Sequence, residues 1–314
     1  MKSADRSDGV PRQCRKNAED PMLKTEQPSA THARLDEYAT EDLVAALIED
    51  QSRAFAAVRD AAASITAAVT AAVPRMHAGG RLVYVGAGTS GRLGLLDSVE
   101  LRPTFSWPRE RAIALLAGGR EAVYQAIEGA EDDPGLGAAD IAAAAVGPND
   151  VVLLIAASGS TPYVQGALAA ARAAGALTIA IVNNPDSPIA GAAGIAVVLD
   201  TGSEAISGST RLKAGTSQKI ALNVFSTALM VRLNRVYGNL MVDVKATNEK
   251  LLQRTVDLTM HATGCDEATA RATLAACQHR VKVAIVAIVR KTTVDEAARR
   301  LDAAHGSVRA ALAD

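Results

Sequence analysis

The sequence predicts an α/β protein built on a parallel, doubly wound sheet, with a small helical unit behind it. Three observations carry that reading. Short apolar runs alternate with helix-period segments from about residue 80 to 236. Two of those runs, VYVGAGTSG at 83–91 and LLIAASGST at 153–161, end in loops of small and hydroxyl residues. Beyond residue 250 the alternation stops and only short amphipathic helices follow. Strand–helix alternation with short loops packs helices on both faces of a parallel sheet.

The elements follow in order. Residues 41–73 carry apolar positions three and four apart, which predicts a helix ended by Pro74 and the pair Gly79-Gly80. RLVYVGAG at 81–88 is β-branched and ends in glycine, a buried strand, and GRLGLLDSVE opens a helix. ERAIALLAGG at 110–119 is a second strand, residues 120–131 a helix, and DDPGLG at 132–137 a loop. DVVLLIAASGS at 150–160 is strand then loop. Residues 161–175 are a helix, with Pro162 in its first turn and Gly175 near its end. ALTIAIVNNP and GIAVVLDTG (194–202) are strands, and 212–236 is helical. GCDEATARATLAACQHR and TVDEAARRLDAAHGSVRAAL form short helices around the buried run KVAIVAIVRK.

Composition narrows the function. The chain has 314 residues, 49% of them apolar and only 3% aromatic, which is a globular core with few aromatic platforms for bases. A net charge of −1 gives no bulk attraction to nucleic acid or to an anionic membrane. No apolar run is long enough for a membrane span. Residues 1–22 are polar and mixed in charge, without the apolar core of a signal peptide, and read as part of a disordered extension over 1–24. Cys14, Cys265 and Cys277 are scattered, so a reduced cytoplasm is the default compartment. The five histidines show no metal-ligand spacing, and no metal is expected.

Gly86, Gly88 and Gly91 spell G-x-G-x-x-G, the dinucleotide-binding fingerprint. That fold needs an acid about 20 residues on for the ribose. Here the second strand ends ALLAGGR, with none. Thr89 and Ser90 instead set hydroxyls beside free amides at a helix N-terminus, which suits a compact phosphate. Ser158, Ser160 and Thr161 repeat that chemistry in the second loop. Both loops follow parallel strands and can face one sugar-phosphate pocket. Each hydroxyl alone could equally be a helix cap.

Five segments resemble one family: VGAGTSGRLGLLDSVELRPTF, IEGAEDD, IAASGSTPYV, GSTRLKAGTSQK and GNLMVDVKATNEKL. Together, from about Thr25 to the C-terminus, they resemble the N-acetylmuramic acid 6-phosphate etherases. The resemblance implies a sugar isomerase (SIS) domain over 79–242, a flavodoxin-like three-layer α/β sandwich. It also implies a helical segment over 25–78 and a small helical domain over 243–314. It implies a cytoplasmic homodimer of peptidoglycan recycling, without cofactor, that splits the lactyl ether to N-acetylglucosamine 6-phosphate and D-lactate. Glu100 matches the family's proton donor and Glu131 its second catalytic glutamate, read here as the base. Gly88, Thr89, Ser90, Ser158, Ser160, Thr161, Glu204, Ser209 and Lys213 are the candidate substrate contacts, with Arg211 as a further cation. Glu128 reads as structural or as a contact. Ser160 stands where the family often has Arg. Two rivals share parts of this pattern: an aldose–ketose isomerase, and a non-catalytic sugar-phosphate sensor similar to the glucokinase regulatory protein.

Overall fold

The computed structural model describes residues 22–244 and 248–313. Of the extension expected over residues 1–24, all but the last three positions lie outside the described residues.

Five strands form one parallel sheet: β1 (Leu82–Gly86), β2 (Ala112–Leu116), β3 (Val151–Ala156), β4 (Leu177–Val182) and β5 (Ile195–Val198). Their spatial order is β2-β1-β3-β4-β5. In register, Val85 pairs with Leu115 on one side and Leu154 on the other. Both faces are covered, which is why the strands read as continuous apolar runs rather than alternating ones. Leu82, Tyr84, Leu153, Ile155, Ile179 and Ile181 pack on one face with α2 (Ala62–His77), α3 (Gly88–Phe105) and α7 (Lys213–Arg232). Val83, Val85, Val152, Leu154, Ala180 and Val182 pack on the other with α4 (Pro134–Ala143), α5 (Pro162–Ala173) and α6 (Pro188–Ala192). The chain leaves β1 for β2 on one side and returns to β3 on the other. Ligands of such sheets sit at that reversal, beyond the carboxyl ends of β1 and β3.

Three expectations are corrected. The helix over 41–73 is two helices, α1 (Thr40–Asp60) and α2, bent at Ala61, and Pro74 lies inside α2. So near the end of the helix its missing N–H removes a single bond, and the chain turns out only at Gly79, with φ of 88°. Residues 120–131 are not a helix beyond the 3-10 turn Glu121–Val123. Arg92 donates to the carbonyls of Ala122 and Gln125, and Gly129 takes a left-handed φ, so the carbonyls a helix would use are held elsewhere. Residues 132–137 are not all loop. Asp133 caps α4 by accepting from the amides of Gly135 (2.7 Å) and Leu136 (3.2 Å), and Pro134 fills the first helical position.

Behind α7 come α8 (Glu249–Thr263), α9 (Glu267–Ala276), α10 (Val281–Arg290), α11 (Val294–Ala303) and α12 (Val308–Leu312). They enclose a separate apolar cluster running from Val242 to Ala311. α10 is its centre, buried on most sides, as a helix apolar all round must be. Asp243 ties this cluster to the sheet unit: its carboxylate accepts from Lys282 at 2.7 Å and Arg235 at 3.3 Å, and Ser106 Oγ donates to its carbonyl. Burial pushes the Lys282 ammonium below its ordinary value, and Asp243 offsets part of that.

Candidate active site

The β1–α3 loop is shaped by two of its glycines. A Cβ at Gly86 would lie 2.8 Å from the Gly91 backbone, and one at Gly91 would lie 2.3 Å from Leu116 Cδ1. Helix α3 thus begins pressed against the strand it leaves. Gly88 has φ of 51° and open space around it. The first amides of α3 have no intrahelical acceptor and face the end of the sheet. Thr89 lies beside them, half-buried, its Cγ2 against Gly215 in the first turn of α7. Ser90 is buried and donates to Gln218 Oε1 at 2.8 Å. Gln218 in turn donates to Asn183 Oδ1 at 3.0 Å, and Asn183 to Ser217 Oγ at 3.0 Å. Ser90 therefore joins α3, α7 and the end of β4 through one buried polar chain.

The β3–α5 loop lies alongside, because β1 and β3 are neighbours. Ser158 Oγ accepts from the Ser160 amide at 3.2 Å and sits 3.4 Å from Thr161 Oγ1. Ser158, Ser160 and Thr161 are all half-buried, with surface left for a ligand. Gly159 pins the loop. Its φ is 67°, and a Cβ there would fall 2.1 Å from Ser187 Oγ.

Glu131 belongs to this rim. Its carbonyl accepts the Tyr163 amide at 3.0 Å, in the first turn of α5, and the residue is exposed. Glu128 is exposed in the same loop. Glu100 is placed quite differently. It lies twelve residues into α3, about 18 Å along the axis from Gly88. The end of α3 is at the opposite edge of the sheet, where Trp107 and Arg111 pack below the starts of β1 and β2. Within one chain, then, the structure brings Glu131 to the loops and does not bring Glu100 there.

The candidates around the start of α7 are mostly engaged already. Glu204 is fully buried and accepts from the amides of Ala214 (2.9 Å) and Lys213 (3.2 Å). Burial raises its carboxyl above the ordinary range, against the pull of those two amides and of Lys213. Lys213 is buried and its ammonium pairs with Asp50 of α1. Ser209 sits half-buried in the turn before α7, and Arg211 is exposed in it. Asn248 caps α8 through the Leu251 amide. Among the described residues no three His, Cys, Asp or Glu side chains gather where they could hold a metal ion.

The candidate site has one support that the residue pattern did not reveal. Thr25, completely buried, is held by Asn184 Nδ2 at 3.1 Å and gives its carbonyl to the Gly208 amide at 3.0 Å. Ser207 Oγ donates to the Glu26 carbonyl at 2.6 Å. The N-terminal segment thus straps the 207–212 turn onto the sheet. Polar residues in an irregular segment give no periodicity to read, so only the pairing with Asn184 exposes it.

Sequence comparison agrees with this architecture. Residues 64–172 match the glucokinase regulatory protein N-terminal SIS domain, and residues 137–228 match the SIS domain. Among solved structures, a phosphoheptose isomerase from Francisella tularensis superposes with a TM-score of 0.47 at 15% identity, over 62% of this chain and 100% of that one. The chain is 46% identical over 290 residues to the N-acetylmuramic acid 6-phosphate etherase of Mycolicibacterium smegmatis, covering 92% of this chain and 97% of that protein. It is 56% identical over 291 residues to the N-acetylmuramic acid 6-phosphate etherase of Deinococcus radiodurans, covering 93% of this chain and 95% of that one. With identity of this order spread over almost its whole length, the chain belongs to the N-acetylmuramic acid 6-phosphate etherase family.

Proposed function

We propose that the protein is a homodimeric, cytoplasmic enzyme that cleaves the lactyl ether of N-acetylmuramic acid 6-phosphate, with each pocket completed by the partner subunit's Glu100. The boundaries at residues 79 and 243 belong to the same proposal. The observation that carries it is the position of Glu131, tied by its own carbonyl to the turn that follows the Ser158–Thr161 loop.

The phosphate is held by the first amides of α3, by Thr89 and by the hydroxyls of Ser158, Ser160 and Thr161. Ser209 borders it, while Glu204, Lys213 and Ser90 fix the helix starts that present these donors. An alkoxide leaves poorly, so direct hydrolysis of an ether is slow. In the open-chain sugar, C2–H is acidic because C1 is an aldehyde. Glu131 removes that proton, and the electron pair expels the lactyl oxygen from C3. The partner subunit's Glu100 protonates the leaving oxygen. Water then adds at C3, and N-acetylglucosamine 6-phosphate and D-lactate leave. Two carboxyl groups in different settings can divide base and acid roles.

The dimer supplies what a single chain lacks. α1 exposes Val44, Ile48 and Phe55, α7 exposes Val224 and Val231, and α3 exposes Leu96 and Val99. α1 and α3 both pack on α7, so these residues form one broad apolar face. Leu96 is one helical turn before Glu100 and on its side of α3. Burying that face against a second copy carries Glu100 across to the partner.

Purified protein incubated with N-acetylmuramic acid 6-phosphate in deuterated water tests the reaction. NMR should show free lactate and deuterium at C2 of the product sugar. Substrate binding with no lactate would favour the sensor, and C2 exchange with the ether intact would favour an isomerase.

A further inference from the structure

We propose that the crease between the end of α3 and α8 is a second binding site, for a compact phosphorylated small molecule. It lies at the opposite edge of the sheet from the Thr89 and Ser158 loops of the same chain.

A cavity of about 630 Å³ opens there. Three guanidinium groups line it from three separate segments: Arg102 in the last turn of α3, Arg109 in the turn before β2, and Arg254 on α8. None of the three has a hydrogen-bond or ion-pair partner among the described residues. Among the described lining residues Glu110 is the one acid, which leaves two positive charges in excess. All three side chains are exposed, whereas half-buried arginines of this chain are held by partners. Arg81 is paired with Asp150 and Arg235 with Asp243, while Arg111 donates to the carbonyls of Met76 and Gly80. Three like charges around one hollow repel each other, and an anion removes that cost.

The shape narrows the ligand. Pro103, Trp107, Met241 and Leu251 give the cavity an apolar floor. The Trp107 ring is fixed by Arg111 at 4.4 Å and Arg235 at 5.3 Å. The floor thus includes a ring held between side chains of the fold, with cations at its rim. Planar guanidinium forks match phosphate oxygens bidentately, and an apolar floor suits the body that carries the phosphate. With three cations around one local crease and a chain of net charge −1, a small molecule fits and a nucleic-acid track does not.

Trp107 is the chain's single tryptophan and reports on this cavity directly. The full-length protein is titrated with inorganic pyrophosphate and its fluorescence followed. A saturable change is expected. Arg109→Ala and Arg254→Ala should each weaken it about tenfold, the size of one lost charge-assisted contact. Both side chains are exposed, and unchanged melting temperatures would show that the variants fold. Glu110→Gln should tighten binding about threefold, a change of sign that general damage does not produce. Absence of a saturable change, or one that survives both arginine variants, overturns the proposal. Citrate binding as tightly as pyrophosphate overturns the phosphate assignment. A signal that follows protein concentration rather than anion assigns the cavity to a contact between copies and overturns it as well.

Discussion

If each pocket joins Glu131 of one chain to the Glu100 of another, two dead proteins should repair each other. The structure sets the terms. Glu100 is about 18 Å along α3 from the β1–α3 loop of its own chain, farther than a hexose phosphate extends. Glu131 is bonded to the turn beside that loop. Replacing either with Gln removes a proton donor or acceptor and should cut the rate by about 10²- to 10⁴-fold in the pure homodimer. A mixed dimer of Glu100→Gln and Glu131→Gln is different. One of its pockets pairs two intact glutamates, and the other pairs two glutamines. In a random mixture about half of the dimers are mixed, and half of their pockets work. Activity should recover to about one quarter of wild type in the mixture and to about one half in the isolated mixed dimer. The assay is lactate release from co-expressed, differently tagged subunits, with the mixed dimer isolated through both tags. An isolated mixed dimer no more active than its parents would refute the shared pocket and place both glutamates in one chain.

Two further predictions concern the supports of the pocket. Glu204 is buried and its carboxyl raised by that burial, so the stability it contributes is greatest below the unfolded carboxyl range and is lost as pH rises through the folded value. Glu204→Gln keeps an acceptor for the α7 amides and removes the charge, so its denaturation midpoint should fall less than wild type's between acid and neutral pH. Glu204→Ala loses both amide bonds and should cost about 1–3 kcal/mol at either pH, read by urea unfolding. Gly159→Ala places a methyl 2.1 Å from Ser187 Oγ at a φ of 67°. It should destabilise by about 1–3 kcal/mol and raise KM more than it lowers kcat. Adding Ser187→Ala should return part of the stability, since the clash is with that hydroxyl.

The sheet was legible because burial on both faces demands unbroken apolar strands, and runs such as VVLLIA carry that demand openly. The loops were legible for a related reason. Gly86 and Gly91 are fixed by helix–strand contact, and hydroxyl residues at helix starts are few in kind. The misread stretch, 120–137, failed where local propensity was outweighed from a distance. Glu121, Ala122, Gln125 and Glu128 are acceptable in a helix, but Arg92 on α3 takes the carbonyls. Asp133-Pro134 was a helix start read as a turn, since the same dipeptide serves both. Lys213 shows the limit for charge. A lysine next to a Ser/Thr-rich turn suits a phosphate, and only the fold reveals that Asp50, far away on α1, is its partner.

The two glutamates proposed as acid and base show why motif order alone could not describe the site. Glu100 and Glu131 stand thirty-one positions apart in one chain, and sequence gives no reason to separate them. The geometry of α3 does. The helix starts at one edge of the sheet with the proposed phosphate donors and finishes at the other, so it cannot deliver both Gly88 and Glu100 to one hexose. A second copy resolves this without distorting the helix. In the proposed dimer its α3 presents Glu100 while its own Gly88 end serves its own pocket, with the exposed Leu96 and Val99 against the neighbour. In that proposed dimer each α3 works in two pockets, one from each end. A change on the apolar face should therefore weaken the acid role before it weakens phosphate binding. Leu96→Asp should lower kcat and raise the dissociation of the dimer together, while substrate affinity of the remaining chains stays near its original value. Loss of affinity at unchanged kcat would argue that α3 acts within a single subunit.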